Sequence, residues 1–151
     1  MSHIVNGKVL IAAQAEPSDA IIALDGEHIA GIGSTTSDDA IDAEGLVIAP
    51  GIIDLGVFAT DKPAFRFGGI TRAALMPDQS PVHDDPATVR FAALKGKPDF
   101  WVHPLAAATR DLDGLHIAEI ALMKSAGARA VATGRRWIAD SGIMLRLMRY
   151  C

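Results

Sequence analysis

From Pro50 to the last residue, short apolar runs alternate with helical stretches, and that alternation restricts the chain to one kind of architecture. "GIIDLGVF" and "GITRAALMP" are nearly continuous apolar segments ending at turn residues, the pattern of strands buried on both faces. "DDPATVRFAALKGKP" places Asp85 as an N-cap, Pro86 at the first helical position and a stop near Gly96. "DFWVHPLAAAT" predicts the next strand and its exit loop. "DGLHIAEIALMKSAG" predicts a helix with Leu115, Ala118, Ile120 and Leu122 on or near one face and Gly127 as its stop. "ARAVATG" is strand-like again, and "DSGIMLRLMRYC" opens a helix that has barely formed at Cys151. Strand, helix, strand, helix in this order means parallel βαβ units with right-handed crossovers. A closed (β/α)8 barrel takes roughly 250 residues, so the stretch from residue 51 to residue 151 holds less than half of one.

Residues 1 to 50 follow a different rule. Three short strand pairs are expected, turning at Asn6-Gly7, Asp25-Gly26 and Glu44-Gly45, each flanked by apolar residues. The expected organisation is therefore α/β. A small antiparallel β-sandwich part covers 1–50, and the first βα units of an incomplete barrel cover 51–151.

Composition narrows the functional classes. Half of the residues are hydrophobic and 21% are charged, which excludes disorder. Aromatics at 5% and a net charge of -4, with no basic run longer than Arg135-Arg136, argue against nucleic acid or an acidic membrane as partner. Cys151 is the only cysteine, which removes a disulfide framework and a thiolate zinc cluster. "MSHIVNGKVLIAAQAEPSD" is broken by Asn6, Gly7 and Lys8, so it reads as neither signal peptide nor transmembrane span, and a cytoplasmic address is expected. The glycines of "GIGS" are not followed by a helix carrying Lys-Ser or Lys-Thr, so no phosphate loop is expected.

Several motifs carry a family resemblance. Pro50-Gly51-Ile52-Ile53-Asp54-Leu55 is followed in order by Gly68-Gly69-Ile70-Thr71 and by Met76-Pro77-Asp78 with Pro81 and Asp84. After these come His103-Pro104 through Thr109, Glu119 with Ala126-Gly127-Ala128, and Asp140-Ser141-Gly142 through Leu145-Arg146 to Tyr150. This series resembles the amidohydrolase superfamily, and within it the bacterial dihydroorotases that partner aspartate carbamoyltransferase. Each piece alone is weak; their order over almost the whole chain is specific.

The resemblance implies a zinc-dependent hydrolysis of a cyclic amide, in which the metal generates hydroxide by lowering the pKa of bound water. It also implies which positions have lost that chemistry. The two histidines that share the metal, projecting together because strand side chains alternate, correspond to Gly56 and Phe58. The arginine that grips the substrate carboxylate corresponds to Thr60, and the substrate-binding asparagine to Asp78, whose charge opposes an anionic substrate. The metal-site aspartate corresponds to Thr133, or to Gly134 with a register slip of one. Only "ATDKPAFRF" stands where the family has a crossover helix of about a dozen residues.

Among the remaining residues, His103 keeps the His-Pro context at a strand end and is the candidate ligand left over, with a hydrogen bond to the loop as its ordinary alternative. His83 with Asp84-Asp85 reads as a helix-capping cluster, while His3, His28 and His116 are isolated. Asp54 is expected to hold the backbone at its strand end. Arg135-Arg136-Trp137 reads as a solvated loop, with an interface contact as the alternative. The expectation is a dihydroorotase-like protein of pyrimidine biosynthesis, without catalysis or cofactor, assembling with aspartate carbamoyltransferase. Two other readings stay open. One is an active cyclic-amide hydrolase with a zinc site rebuilt from His83, His103 and Asp78; the other is a truncated fragment without function. Unpaired parallel strands also predict either association with itself or a partner, or closure into a compact three-layer arrangement.

Overall fold

The computed structural model describes residues 2–12, 15–33 and 39–151. Met1, Ala13 and Gln14 of the N-terminal stretch, and Ser34 of "GIGS", lie outside the described residues. The chain divides into two compact units, Met1–Pro50 and Gly51–Cys151.

In the first unit, β1 (Ser2–Val9), β2 (Ser18–Asp25) and β3 (His28–Gly33) form an antiparallel meander. Asp25-Gly26 makes the expected hairpin, with Gly26 at φ 58° and Asp25 paired to His28. Asn6-Gly7 does not. β1 runs straight through it, Asn6 takes φ 57°, and the pairing with β2 shifts between Ile4 and Gly7. Asn tolerates the left-handed region, and here the chain uses that tolerance for a bulge, not a reversal. Glu44-Gly45 is a turn at φ 52° and 80°, but the strands it joins, β4 (Ala40–Asp42) and β5 (Val47–Ile48), pair with β1 in parallel and not with each other. Val9 and Ile22 are buried in this sheet.

The second unit is the expected incomplete barrel. β6 (Ile52–Val57), β7 (Ile70–Leu75) and β8 (Trp101–Pro104) are parallel neighbours in that order. After a break at Leu105 the same segment continues as β9 (Ala106–Ala107), which pairs in parallel with β10 (Val131–Ala132). The Leu105 N–H still reaches Leu75 O at 2.9 Å, while Ala106 N–H turns to Ala130 O at 2.9 Å. One extended segment thus hands its hydrogen bonds from one neighbour to the other.

Between β6 and β7 the crossover shrinks to α1 (Lys62–Phe67), capped by Asp61. It is tied down by Phe65, whose ring meets Phe100 with centroids 4.7 Å apart. α2 (Pro86–Leu94) starts as expected, with the Asp85 carboxylate accepting from Ala87 N–H at 2.7 Å and Thr88 N–H at 3.2 Å. α1 and α2 cover a core of Phe65, Ala73, Leu75, Ala92, Phe100 and Val102.

The third helix differs from expectation. α3 spans only Ile120–Ser125, because Asp113 Oδ1 captures Leu115 N–H (2.7 Å) and His116 N–H (3.1 Å) and turns 113–119 into a loop. Ala118 and Ile120 are buried as expected, but Leu115 and Leu122 point to solvent. α4 (Ser141–Tyr150) is a full ten-residue helix, capped by Asp140 through Ile143 N–H at 2.9 Å. Ile143 and Leu147 of α4 join Ile120 and Met123 of α3 over Ala106 and Ala108. β6 also departs from the doubly buried pattern: Ile52, Ile53 and Leu55 are exposed, and among the described residues β6 pairs with β7 alone.

Candidate functional site

Parallel barrels build their sites at the C-terminal ends of the strands, from the loops that follow. Here that end gathers Gly56 near the end of β6 and Phe58 just after it, Asp78 and Gln79 after β7, His103 at the end of β8, and Thr133, Gly134 and Arg135 after β10. The Asp54 carboxylate accepts from Gly56 N–H at 3.0 Å and fixes the end of β6, as expected.

The loops are stitched to one another. Gln79 Nε2 donates to the Phe58 carbonyl (3.0 Å) and to the Met76 carbonyl (3.1 Å), joining the ends of β6 and β7. Arg135 Nε donates to Asp78 Oδ2 at 2.6 Å, joining the ends of β7 and β10. The same guanidinium lies over the Phe58 ring, 4.7 Å from its centroid, a contact worth about 0.5–1 kcal/mol at an exposed site. Asp78 keeps 13% of its side-chain surface exposed, against 68% for Arg135, so the carboxylate is the partner that depends on the pair. Its second oxygen, Oδ1, is buried without a hydrogen bond.

Gly134 makes this approach possible. It sits at φ 64°, and a Cβ there would lie 3.1 Å from both Asp78 Cγ and Leu112 Cδ1. An open cavity of about 230 Å³ adjoins the pair, lined by Asp78, Gln79, Val82, Leu112, Arg135 and Arg136. Its wall includes Asp111 and Leu112 at φ 47° and 55°, with Asp111 N–H held by Asp84 Oδ2 at 2.8 Å. Asp84 therefore braces this loop, while Asp85 alone caps α2.

The other candidates stay apart. His83 is buried with Nδ1 unpartnered; burial and, next, Lys95 lower its pKa, against a hydrogen bond with the Leu105 backbone. His103 is half-buried on β8. Burial first, then Arg129 and Arg72, hold its pKa below the ordinary value. His116 is not isolated but pairs with Asp113 at 2.8 Å. Trp137 is 85% exposed and Arg136 is exposed, as expected of a solvated loop; Arg135 is also mostly exposed, yet its guanidinium pairs with Asp78. Reading the sequence missed Arg135 and Gln79. The available signal was an arginine beside the strand-end position of Thr133, opposite in charge to a carboxylate at another strand end.

These residues do not fit a zinc ion. Gly56 has no side chain, Phe58 has no donor atom, and the Asp78 carboxylate is engaged by Arg135. Among the described residues no three His, Cys, Asp or Glu side chains converge as metal ligands.

No protein-family model matches the chain. It is 33% identical to the dihydroorotase of Syntrophotalea carbinolica over 97% of this chain and 39% of the relative. It is 32% identical to the dihydroorotase of Ruminiclostridium cellulolyticum over 97% of this chain and 38% of the relative. The chain thus spans about two fifths of the length of the relatives it matches. Among solved structures it shares its fold with the L-hydantoinase (dihydropyrimidinase) from Arthrobacter aurescens, at a TM-score of 0.74 and 18% identity over 99% of this chain and 38% of that one. An N-acyl-D-glutamate deacylase from Bordetella bronchiseptica is similar at a TM-score of 0.62 and 23% identity, over 98% of this chain and 42% of that one. No helix among the described residues is long and apolar enough to cross a membrane. Sequence similarity to dihydroorotases and the fold shared with a hydantoinase support the amidohydrolase superfamily, over the N-terminal part of its members.

Proposed function

We propose that the chain is a dihydroorotase-like protein of pyrimidine biosynthesis that does not hydrolyse dihydroorotate and serves a structural role in assembly with aspartate carbamoyltransferase. The observation that carries this reading is the guanidinium of Arg135, set between the Asp78 carboxylate and the Phe58 ring. Hydrolysing a cyclic amide at neutral pH requires a hydroxide held at the strand ends. Glycine and phenylalanine stand at the two positions around the end of β6 that would hold its metal, and the polar groups nearby are committed to binding one another. Catalytic loops must leave donors free for substrate, whereas these loops use theirs to fasten three strand ends together.

A site rebuilt from His83, His103 and Asp78 has no support. The charges of Arg129 and Arg72 act on His103, Lys95 acts on His83, and Arg135 occupies Asp78; each opposes a cation. The assembly role rests on the ordered motifs shared with dihydroorotases that partner the transcarbamoylase. The exposed Trp137 next to Arg136 supplies residue types that anchor interfaces.

Mixing the chain with aspartate carbamoyltransferase of the same organism tests the role. Co-elution in a fixed ratio on size-exclusion chromatography is expected, lost or weakened by Trp137→Ala; independent elution of the two proteins contradicts it.

A further inference from the structure

α2 is apolar on two opposite sides. At about 100° per residue, Val89 and Ala92 share the side turned to the sheet, and both are fully buried. Phe91 and Leu94 fall on the opposite side and are 68% and 63% exposed. Arg90 and Lys95 flank that outer stripe, one on either side, and both are exposed. The Lys95 ammonium lies 5.8 Å from the centre of the Phe91 ring. A surface helix ordinarily carries polar residues along its outer side, so the stripe is a departure that calls for cover.

Charge is segregated on the same helix. The chain has a net charge of -4, yet residues 86–97 hold Arg90, Lys95 and Lys97 and no acidic residue. Among the described residues none of these three forms a salt bridge. The stripe also lies where the barrel's own units do not reach. α2 packs on β8 and beside α3, and it shares a core with Phe65 of α1. Neighbours therefore stand on both of its flanks. Further βα units of a barrel add at the free edges of the sheet, within the ring of helices and not over it.

We propose that the outer side of α2 docks an acidic amphipathic helix of a partner protein. The apolar ridge of that helix rests on Phe91 and Leu94, and its carboxylates reach Arg90 on one side and Lys95 on the other. Two arguments select this occupant. An apolar stripe between cations is complementary to an apolar stripe between acids, with aromatic and arginine side chains as the anchors. The docking face is also one helix wide. A bilayer or a nucleic acid would extend past it onto a chain whose net charge is negative, whereas a single helix stays within it. This inference does not rest on assembly with aspartate carbamoyltransferase, nor on the loss of catalysis.

Fluorescence anisotropy of a labelled synthetic peptide, titrated with the whole chain, tests it. The probe is about 18 residues long, enough to be helical, with leucine and phenylalanine on one stripe and glutamate on both flanks. Saturable binding that weakens as salt rises is expected. Phe91→Ser and Arg90→Glu should each weaken it by about tenfold, with unchanged far-UV circular dichroism, and Trp137→Ala should leave it intact. If Phe91→Ser fails to fold, Arg90→Glu carries the test alone. Absence of binding overturns the proposal, as does binding insensitive to Arg90→Glu. Equal binding of the same peptide with lysine in place of glutamate overturns it too. So does tighter binding of the chain to phosphatidylserine vesicles than to the peptide, which would make the face a membrane contact.

Discussion

Arg135 and Asp78 meet at 2.6 Å across the ends of β10 and β7, and the two residues depend on that pair unequally. Asp78 is largely covered, and Arg135 is mostly in solvent. Removing Arg135 leaves a covered carboxylate whose other oxygen already lacks a partner, whereas removing the charge of Asp78 leaves an arginine that water solvates.

Arg135→Ala should therefore destabilise the protein by about 1–3 kcal/mol, the cost of an unsatisfied buried charged group. Asp78→Asn should cost less than about 1 kcal/mol, the scale of an exposed ion pair. Urea unfolding of both single variants and the double variant checks the order. Equal losses, or a larger loss for Asp78→Asn, would contradict the geometry.

At the start of α2, Asp85→Ala removes the acceptor of Ala87 N–H and Thr88 N–H. A loss of about 0.5–2 kcal/mol is expected in chemical denaturation. Asp84→Ala should instead release Asp111 N–H, seen as faster amide exchange at Asp111 without the capping loss.

Much of this was legible in the chain itself, for local reasons. Asp85-Pro86 encodes its cap within four residues, and Asp25-Gly26 encodes its hairpin within two. Asn6-Gly7 carries the same local signal and misleads, because the tertiary pairing of β1 with β2, β4 and β5 overrides the turn preference. Leu115 and Leu122 fit a helical stripe, yet Asp113 takes the backbone N–H groups that the helix needed. At the strand ends, Gly56, Phe58, Thr60, Asp78 and Thr133 stood out as departures from the family motifs. What replaced them was hidden, since Asp78 and Arg135 are distant in sequence and only the fold brings them together.

Burial first and Lys95 second depress the pKa of His83, so the folded protein binds its proton less readily than the unfolded chain. Unfolded His83 titrates near 6.5. Stability is therefore complete above that pH and declines as pH falls through it toward the lower folded value. Melting temperatures followed from about pH 8 to about pH 5 should drop, and His83→Gln should flatten the part of the slope that His83 causes. An unchanged slope in the variant would assign the acid sensitivity to other groups.

The hydrogen bond from His116 and those from the Leu115 and His116 N–H groups lower the Asp113 pKa to about 2. Its contribution to the 113–119 loop is present above the ordinary value of 3.8 and is lost as pH falls through about 2. Carboxyl-carbon NMR should place the midpoint there, and His116→Ala should move it upward; a wild-type midpoint near 3.8 would contradict the loop geometry.

Whether the strand ends have given up hydrolysis is decided most directly by incubating the purified chain with excess zinc, desalting it, and measuring bound metal together with dihydroorotate turnover. The expected result is zinc far below stoichiometric and hydrolysis no faster than in buffer, because Gly56 and Phe58 offer no ligand and Arg135 holds Asp78. Stoichiometric zinc with turnover that a chelator abolishes would contradict it.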